Sequence, residues 1–270
     1  MKDSTLVRTN RLQGATHRRL DGWWGLFTAV LLLIVFLVTS QKDPYLRIIK
    51  FVSDGLLVTV GVTTSSFLLV LFLALITALG RLSRSQIVRG ITTIYVEVAR
   101  GIPLLVQLLF WYFAFPSLIR SLGESLALQP LKNYLANPIA MAILGLTFCY
   151  AAYMSEIFRS GIQSIPKGQM EAALSSGMSH WQAMRYIILP QAVRVVLPPV
   201  GNEFISMLKD SSLVSVVAVA DMTRRGREFM AANFIPVQTW IMIALLYLVM
   251  TLFSARIVAW MERKTQREEH

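Results

Sequence analysis

Residues 171–190 read EAALSSGMSHWQAMRYIILP, a polar helical stretch that stands between two runs apolar enough to cross a membrane. Pro166 suits the first turn of a helix, Gly177 suits a left-handed helix stop, and Ser179 can cap a second helix that runs on to Pro190. The stretch therefore predicts two short helices with a sharp bend between them. Either this bent pair docks into another protein, or it lies on the lipid surface as an amphipathic connector. The first helix is expected to expose small and apolar side chains that would suit docking, namely Met170, Ala172, Ala173 and Leu174 beside Glu171, but helical periodicity alone leaves both alternatives open.

The rest of the chain predicts an all-α, polytopic membrane protein. The sequence is 55% hydrophobic and has a mean hydropathy of +0.57, which is too apolar for an ordinary soluble domain. Six apolar runs have close to the roughly 20 residues that a helix needs to cross a bilayer. They are residues 23–40, 56–80, 95–116, 138–158, 187–207 and 238–261. The fifth run contains Pro190, Pro198 and Pro199, so a broken helix is expected there.

The net charge of +11 fits either nucleic-acid binding or basic loops at a membrane surface. The second interpretation is better, because the Lys and Arg residues concentrate between the apolar runs; no nucleic-acid partner is expected.

An even number of spans places both termini on one side of the membrane. More Lys and Arg residues lie in 1–22, 81–94, 159–186 and 262–270 than in the intervening outer segments. The positive-inside rule then predicts a multi-pass plasma-membrane protein with both termini in the cytoplasm.

Two pairs of opposite charges lie within the predicted spans. Glu97 and Arg100 are three residues apart, as are Glu156 and Arg159. This spacing places each pair on one helix face, where the charges can neutralise each other. The pairs are either helix-end salt bridges or parts of an inner gate, for which the Arg-Gly-Ile-Pro sequence at 100–103 offers a bend.

Glu203 and Asp210 are the candidates for contact with a transported substrate. They are seven residues apart and share a face if the helix continues between them. Asn202, Ser211 and Ser212 add hydrogen-bonding groups nearby. A charged solute does not cross lipid unaided, so its path through a membrane needs such polar groups. The alternative is that Glu203 pairs with a neighbouring helix and that Asp210 lies at the interface.

Several chemistries have no signal in the sequence. There is no G-x-x-x-x-G-K-[ST] phosphate loop, no Ser-His-Asp set and no dinucleotide fingerprint. His17, His180 and His270 are too scattered for a metal site, and Cys149 is the single cysteine. The chain is therefore expected to be no enzyme and to bind no metal or cofactor itself.

The spacing in residues 171–190 closely resembles the EAA motif in the membrane subunits of bacterial ABC importers. All its anchor positions are filled, by Glu171, Ala172, Ala173, Gly177, Ile187, Leu189 and Pro190. Residues 97–113, 151–179 and 188–213 also look like the polar amino-acid permease branch, which serves His, Glu, Gln, Arg and opines. The resemblance covers about residues 55–260.

This resemblance implies a domain plan and a set of partners. The plan is a cytoplasmic segment at 1–22, an added helix and outer loop at 23–54, a five-span type I transport domain at 55–261 and a tail at 262–270. A coupling helix at 164–186 would meet the ATPase through Gln169, Glu171, Ala172, Ala173 and Gly177. The implied partners are two ABC ATPase subunits that bind ATP-Mg, a second permease subunit (identical or paralogous), a solute-binding protein and an amino-acid substrate.

The expected function is ATP-driven import of polar amino acids across the bacterial inner membrane by alternating access. One alternative is an ion-gradient-driven secondary transporter, which gives no reason for the EAA spacing. Another is a membrane receptor or assembly subunit that moves nothing, which should tolerate the loss of Glu203 and Asp210. The sequence leaves open which amino acid is carried.

Overall fold

The computed structural model describes residues 22–266, and all regular elements within that range are helical. The predictions for residues 1–21 and 267–270, including His17 and His270, lie outside this range. The α-helices are α1 (Gly22–Ser40), α2 (Lys42–Leu82), α3 (Gln86–Gly101), α4 (Leu104–Leu109), α5 (Phe115–Ser125), α6 (Gln129–Lys132), α7 (Pro138–Gln163), α8 (Lys167–Ser175), α9 (His180–Ala183), α10 (Leu189–Asp210), α11 (Met222–Asn233) and α12 (Pro236–Gln266). Two π-helical segments (Phe110–Ala114 and Met184–Ile188) and one 3-10 helix (Ser211–Val217) connect some of them.

Five of the six predicted spans correspond to helices that are long and apolar enough to cross a membrane. They are α1, α2, the continuous segment Leu104–Ser125, α7 and the Pro236–Lys264 part of α12. The remaining predicted span, the fifth in the sequence, corresponds to α10, a 22-residue helix that packs against α7 and α12. Its prolines and charged residues make α10 less apolar than the others, so it depends on the surrounding helices for its place in the bundle.

Most of the segment predicted as an outer loop, residues 41–54, is helical instead, because α2 runs on regularly from Pro44 after a non-helical Asp43 (φ −106°, ψ 123°). Tyr45, Ile48 and Val52 are buried and follow one another at helical spacing on one face. They pack with Met222 of α11 and Met242 of α12. The apolar run that sequence hydropathy detects is therefore only part of a longer helix.

The predicted span at 95–116 is divided in two. Helix α3 ends at Gly101, Ile102 and Pro103 are extended, and α4 begins at Leu104. Proline lacks an N–H and disfavours helical geometry in the residue before it, which explains the break. Gln107 is buried, and its amide nitrogen donates to the carbonyls of Ala99 and Ile102, at 2.8 Å each. This side chain replaces hydrogen bonds that the break removes from the backbone.

Helix α10 is not broken at Pro198 and Pro199, contrary to the expectation from sequence; it is continuous from Leu189 to Asp210. The irregularity lies before α10, in the π-helical segment Met184–Ile188, where the wider turn accommodates the missing N–H of Pro190. Two glycines allow close packing along this helix. A Cβ added at Gly161 of α7 would lie 2.0 Å from Val196, and one added at Gly201 would lie 2.4 Å from Val258 of α12.

The main core lies between α2, α7 and the segments around α10, where Val70, Leu146, Met154, Met207 and Val214 are fully buried. Helix α11 extends this packing and was missed by the sequence prediction. Its N-terminus is capped by Asp221, whose carboxylate accepts from the backbone N–H of Thr223 and Arg224 at 3.0 Å. Helix α1, in contrast, has a single buried residue, Val30, and lies on the outside of the bundle against α12 and α2.

Candidate functional site

A cavity of about 400 Å³ opens beside the break between α3 and α4. The break contributes Gly101, Ile102 and Pro103, and Leu104 follows from the start of α4. The polar side chains at its wall are Arg100 of α3, Tyr150 and Tyr153 of α7, and Glu203 and Asp210 of α10. Irregular backbone at membrane depth is tolerated where it lines a cavity, and this is the arrangement here.

The cavity brings Glu203 and Asp210 together, as predicted. Because α10 is continuous, the seven-residue spacing places both carboxylates on one helix face and both reach the cavity. The hydroxyl of Tyr150 donates to Oδ2 of Asp210 at 2.7 Å. Both carboxylates therefore lie on one wall of the cavity, and Asp210 is held by a hydrogen bond from Tyr150 of α7.

Arg100 supplies the opposite charge. Its guanidinium lies 5.2 Å from the centre of the Tyr153 ring, a cation–π contact. The predicted ion pair between Glu97 and Arg100 is wrong, because neither side chain forms a salt bridge within residues 22–266 and both are exposed. Arg100 turns towards α7 and the cavity instead of towards its own helix.

The other residues proposed for substrate contact do not reach the cavity wall. Asn202 is exposed elsewhere on α10. Ser211 is buried, and its hydroxyl donates to the carbonyl of Leu208 at 2.7 Å. Ser212 follows in the 3-10 helix and is half-buried. The chain leaves α-helical geometry after Asp210 and continues as a 3-10 helix, which sequence spacing alone does not reveal.

The second predicted pair, Glu156 and Arg159, does form a salt bridge near the end of α7. Arg81, at the end of α2, bonds to the same carboxylate, and Arg159 donates to the side chain of Gln163 at 2.7 Å. The pair is therefore a three-member ionic cluster that joins α2 to α7. Arg81 was not predicted as part of it.

The bend between α8 and α9, here called the α8–α9 corner (residues 167–183), has the predicted geometry. Gly177 has a φ of +84°, and the backbone N–H groups of Met178 and Gly177 donate to the carbonyls of Ala173 and Leu174 at 3.2 and 3.0 Å. This is a Schellman motif. Ser179 then forms a capping box with Gln182, in which each side chain bonds to the other residue's backbone N–H. Pro166 precedes α8 as its N-cap.

Burial distinguishes the residues of this corner. Gln169, Glu171, Ala172 and Gly177 are exposed and available to a partner. Ala173 is buried against its own chain, so the expectation that it lies on the exposed surface is wrong. Sequence reasoning missed two exposed aromatic side chains just beyond the bend, Trp181 (70% exposed) and Tyr186 (62% exposed).

Two cavity residues, Tyr150 and Tyr153, were also missed as functional candidates, as was Gln107, which bonds to the backbone on both sides of the α3–α4 break. The sequence did contain a signal for these residues, namely a hydroxyl or an amide within an otherwise apolar run. Such a polar group is costly in a membrane unless it has a hydrogen-bonding partner. Tyr150 and Tyr153 are three residues apart and therefore share a helix face, which would have placed them together.

Residues 70–267 match the family described as binding-protein-dependent transport system inner membrane component. The chain belongs to this family. The permease is 37% identical over 194 residues to the glutamine transport system permease protein GlnP of Escherichia coli strain K12, a match that covers 72% of this chain and 83% of GlnP. It is 36% identical over 216 residues to the L-cystine transport system permease protein TcyB of Bacillus subtilis, covering 80% and 86% of the two chains.

A solved structure supports the same assignment. The crystal structure of an amino acid ABC transporter with histidines shares 34% sequence identity with the permease at a TM-score of 0.70, and the match covers 85% of this chain and 98% of that one. The resemblance to the polar amino-acid branch is thereby confirmed. The permease is a multi-pass inner membrane protein and a permease subunit of an amino-acid ABC importer.

Proposed function

We propose that this permease imports a polar amino acid by alternating access and that the cavity beside the α3–α4 break is its binding site for the substrate. The observation that carries the proposal is the meeting of Glu203, Asp210 and Arg100 around one cavity at a helix break. Ionisable side chains that face a cavity inside a membrane protein are typical of a substrate path.

The charges suit a zwitterion. The ammonium group of an amino acid would lie against the carboxylates of Glu203 and Asp210, and its carboxylate would lie against the guanidinium of Arg100. Tyr150 holds Asp210 in place, so the anionic wall is preorganised before the substrate arrives. Arg100 and Asp210 are supplied by different helices, and rocking of these helices would change the geometry of the site.

The conformational change driven by ATP would be transmitted to this chain through the α8–α9 corner. The exposed residues Gln169, Glu171, Ala172 and Gly177 would contact one of two ATPase subunits, which bind ATP-Mg, while this chain binds no cofactor. Trp181 offers an exposed aromatic anchor of the kind that dominates protein interfaces. A second permease subunit, identical or paralogous, would complete the path, and a solute-binding protein would deliver the amino acid at the outer face. Both termini would then be cytoplasmic, in agreement with the Lys and Arg distribution.

The test is uptake by the complex reconstituted in vesicles with its ATPase and binding protein. Glu203→Gln and Asp210→Asn each remove a negative charge that the substrate ammonium would contact. Because a hydrogen bond to a charged group contributes about 1.5–3 kcal/mol, uptake should fall by at least about tenfold in each variant. Glu124→Gln removes an exposed carboxylate far along α5 and serves as the matched control. Assembly of the complex should be unchanged in all three variants.

Two outcomes would reject the proposal. Normal uptake by both the Glu203 and Asp210 variants would remove these residues from the substrate path and would favour a receptor or assembly role. Uptake that continues without ATP and stops when the ion gradient is dissipated would favour a secondary transporter.

A further inference from the structure

The cavity beside the α3–α4 break has an excess of negative charge. Among the described residues that line it, Glu203 and Asp210 are acidic and Arg100 is the single base, so two acids and one base leave a net charge of −1. None of the three forms a salt bridge within residues 22–266. A zwitterion brings one positive and one negative charge and leaves this excess in place. Because uncompensated charge at membrane depth is costly, a substrate with a second positive charge would stabilise the cavity better.

Helices α7 and α10 run antiparallel along this cavity. Gly161, near the C-terminal end of α7, packs so closely against Val196 in the first half of α10 that an added Cβ would lie 2.0 Å from the valine. Earlier in α7, the hydroxyl of Tyr150 donates to Asp210 at the C-terminal end of α10. The direction from Tyr150 to Gly161 along α7 is therefore the direction from Asp210 to Val196 along α10.

This arrangement gives the cavity two different ends. In the direction just described, Tyr153 lies about one turn beyond Tyr150, and the guanidinium of Arg100 lies 5.2 Å from the centre of its ring. In the same direction Glu203 lies about two turns beyond Asp210, or about 10.5 Å along the helix axis. Arg100 and Glu203 are therefore on the same side of the bond between Tyr150 and Asp210. One end of the cavity has a base and an acid, and the other end has an acid alone.

We propose that this cavity selects amino acids with a cationic side chain and that Asp210 is the residue that recognises this side chain. The inference rests on the proposed function and assigns the two carboxylates to two different cations of the substrate. The α-carboxylate would contact Arg100, and the α-ammonium would contact Glu203. An ammonium or guanidinium group at the far end of the side chain would reach Asp210. A substrate with a net charge of about +1 then balances the charge of the cavity.

Neutral and acidic side chains suit the Asp210 end less well. An ionised carboxylate accepts hydrogen bonds and donates none, so a side-chain carboxylate would meet a like charge there. A side-chain amide could donate a hydrogen bond to Asp210 but would leave its negative charge without a counter-ion. Tyr150, which also lines the cavity, adds an aromatic ring of the kind that attracts cations.

The experiment compares L-arginine with L-citrulline, which has nearly the same shape but no charge on its side chain. Binding of each radiolabelled amino acid to the purified complex of permease and ATPase is measured in detergent by equilibrium dialysis. The solute-binding protein is left out, so that its own selectivity does not enter the result. Because a hydrogen bond between two charged groups is stronger than one with a neutral donor, the parent complex should bind arginine at least about tenfold more tightly than citrulline.

The two acid variants should behave differently in this assay. Asp210→Asn should lower the affinity for arginine to that for citrulline and should leave citrulline binding unchanged. Glu203→Gln should weaken the binding of both amino acids by about the same factor, because Glu203 would contact the α-ammonium that they share. Glu124→Gln changes an exposed carboxylate of α5, and this matched control should bind both like the parent. Co-purification of the ATPase checks that each variant is folded.

Equal affinity of the parent complex for arginine and citrulline, or tighter binding of L-glutamate, would overturn the selectivity. This comparison needs no variant, so it decides the matter even if Asp210→Asn fails to fold. A preference for arginine that persists in Asp210→Asn would overturn the role of Asp210. In each of these cases weaker binding by Glu203→Gln would leave the proposed function standing. If no amino acid binds to the parent complex, the cavity is rejected as the substrate site and this inference is rejected with it.

Discussion

At the scale of single residues, Gly177 is the position where backbone geometry is most restrictive. Its φ of +84° lies in the region that glycine enters without cost and that β-branched residues avoid. A Cβ at this position would meet nothing within 4 Å, so the requirement is conformational and not a matter of space. The α8–α9 corner therefore depends on this residue through its dihedral angle alone.

Gly177→Val should weaken the association of the permease with its ATPase. The left-handed conformation costs an ordinary L-residue about 1–2 kcal/mol, and more for a β-branched one, so the corner would open and displace Glu171. Gly177→Asn is the control, because asparagine tolerates this conformation although it is as bulky as valine. Co-purification of the ATPase checks the prediction. Equal retention by both variants, or equal loss in both, would contradict it.

At the scale of helices, the close approach of α7 and α10 depends on Gly161. A Cβ there would lie 2.0 Å from Val196, a distance that atoms do not tolerate without movement. This contact holds α10, the least apolar of the helices that match predicted spans, against the core. Small residues serve in this way wherever membrane helices pack closely.

Gly161→Ala should lower the thermal unfolding midpoint of the complex in detergent, since overpacking costs about 1–3 kcal/mol. Gly90→Ala adds the same methyl group to α3, where nothing lies within 4 Å, and should be neutral or slightly stabilising. Combining Gly161→Ala with Val196→Ala should restore most of the lost thermal stability, because the smaller side chain at position 196 leaves room for the added methyl group. No change in the Gly161 variant would mean that the two helices separate at little cost.

The sequence predicts helices better than it predicts where they begin, end or bend. The α8–α9 corner follows from local signals, since Gly177 and Ser179 act within their own turns. The helical start of α2 and the presence of α11 depend on packing between distant segments, as the bond from the N–H of Met222 to the hydroxyl of Thr59 shows. Pro198 and Pro199 led to the wrong prediction of a broken helix, because packing against neighbouring helices keeps α10 continuous. Similarly, Arg100 contacts a ring on α7, whereas spacing alone pairs it with Glu97.

At the scale of the whole molecule, the cavity beside the α3–α4 break lies between helices that would move relative to each other. Cys149, the single cysteine of the chain, lines this cavity and is 4% exposed. A thiol in this place would report on any opening of the proposed substrate path without an engineered label. The ionic cluster of Arg81, Glu156 and Arg159 lies nearer the end of α7 and joins α7 to α2.

Alkylation of Cys149 by a maleimide should be slow in the resting complex. The alkylation rate should change at least about tenfold when ATP and the loaded binding protein are present. A tenfold change corresponds to about 1.4 kcal/mol in the free energy of the open form relative to the closed form. The transported amino acid should slow the reaction. Cys149→Ala should transport normally and remain unlabelled. A labelling rate that is the same in every state would argue against movement of the helices around this cavity.

Helix α1, with Val30 as its one buried side chain, has a consequence for how the protein is made. Its stability in the bilayer comes from lipid, so it needs no finished bundle in order to insert. It also precedes α2 and the later spans in the sequence, and the basic residues before it can fix its direction while those spans are still being synthesised. The later spans would then follow a helix that is already inserted, and they would inherit its orientation.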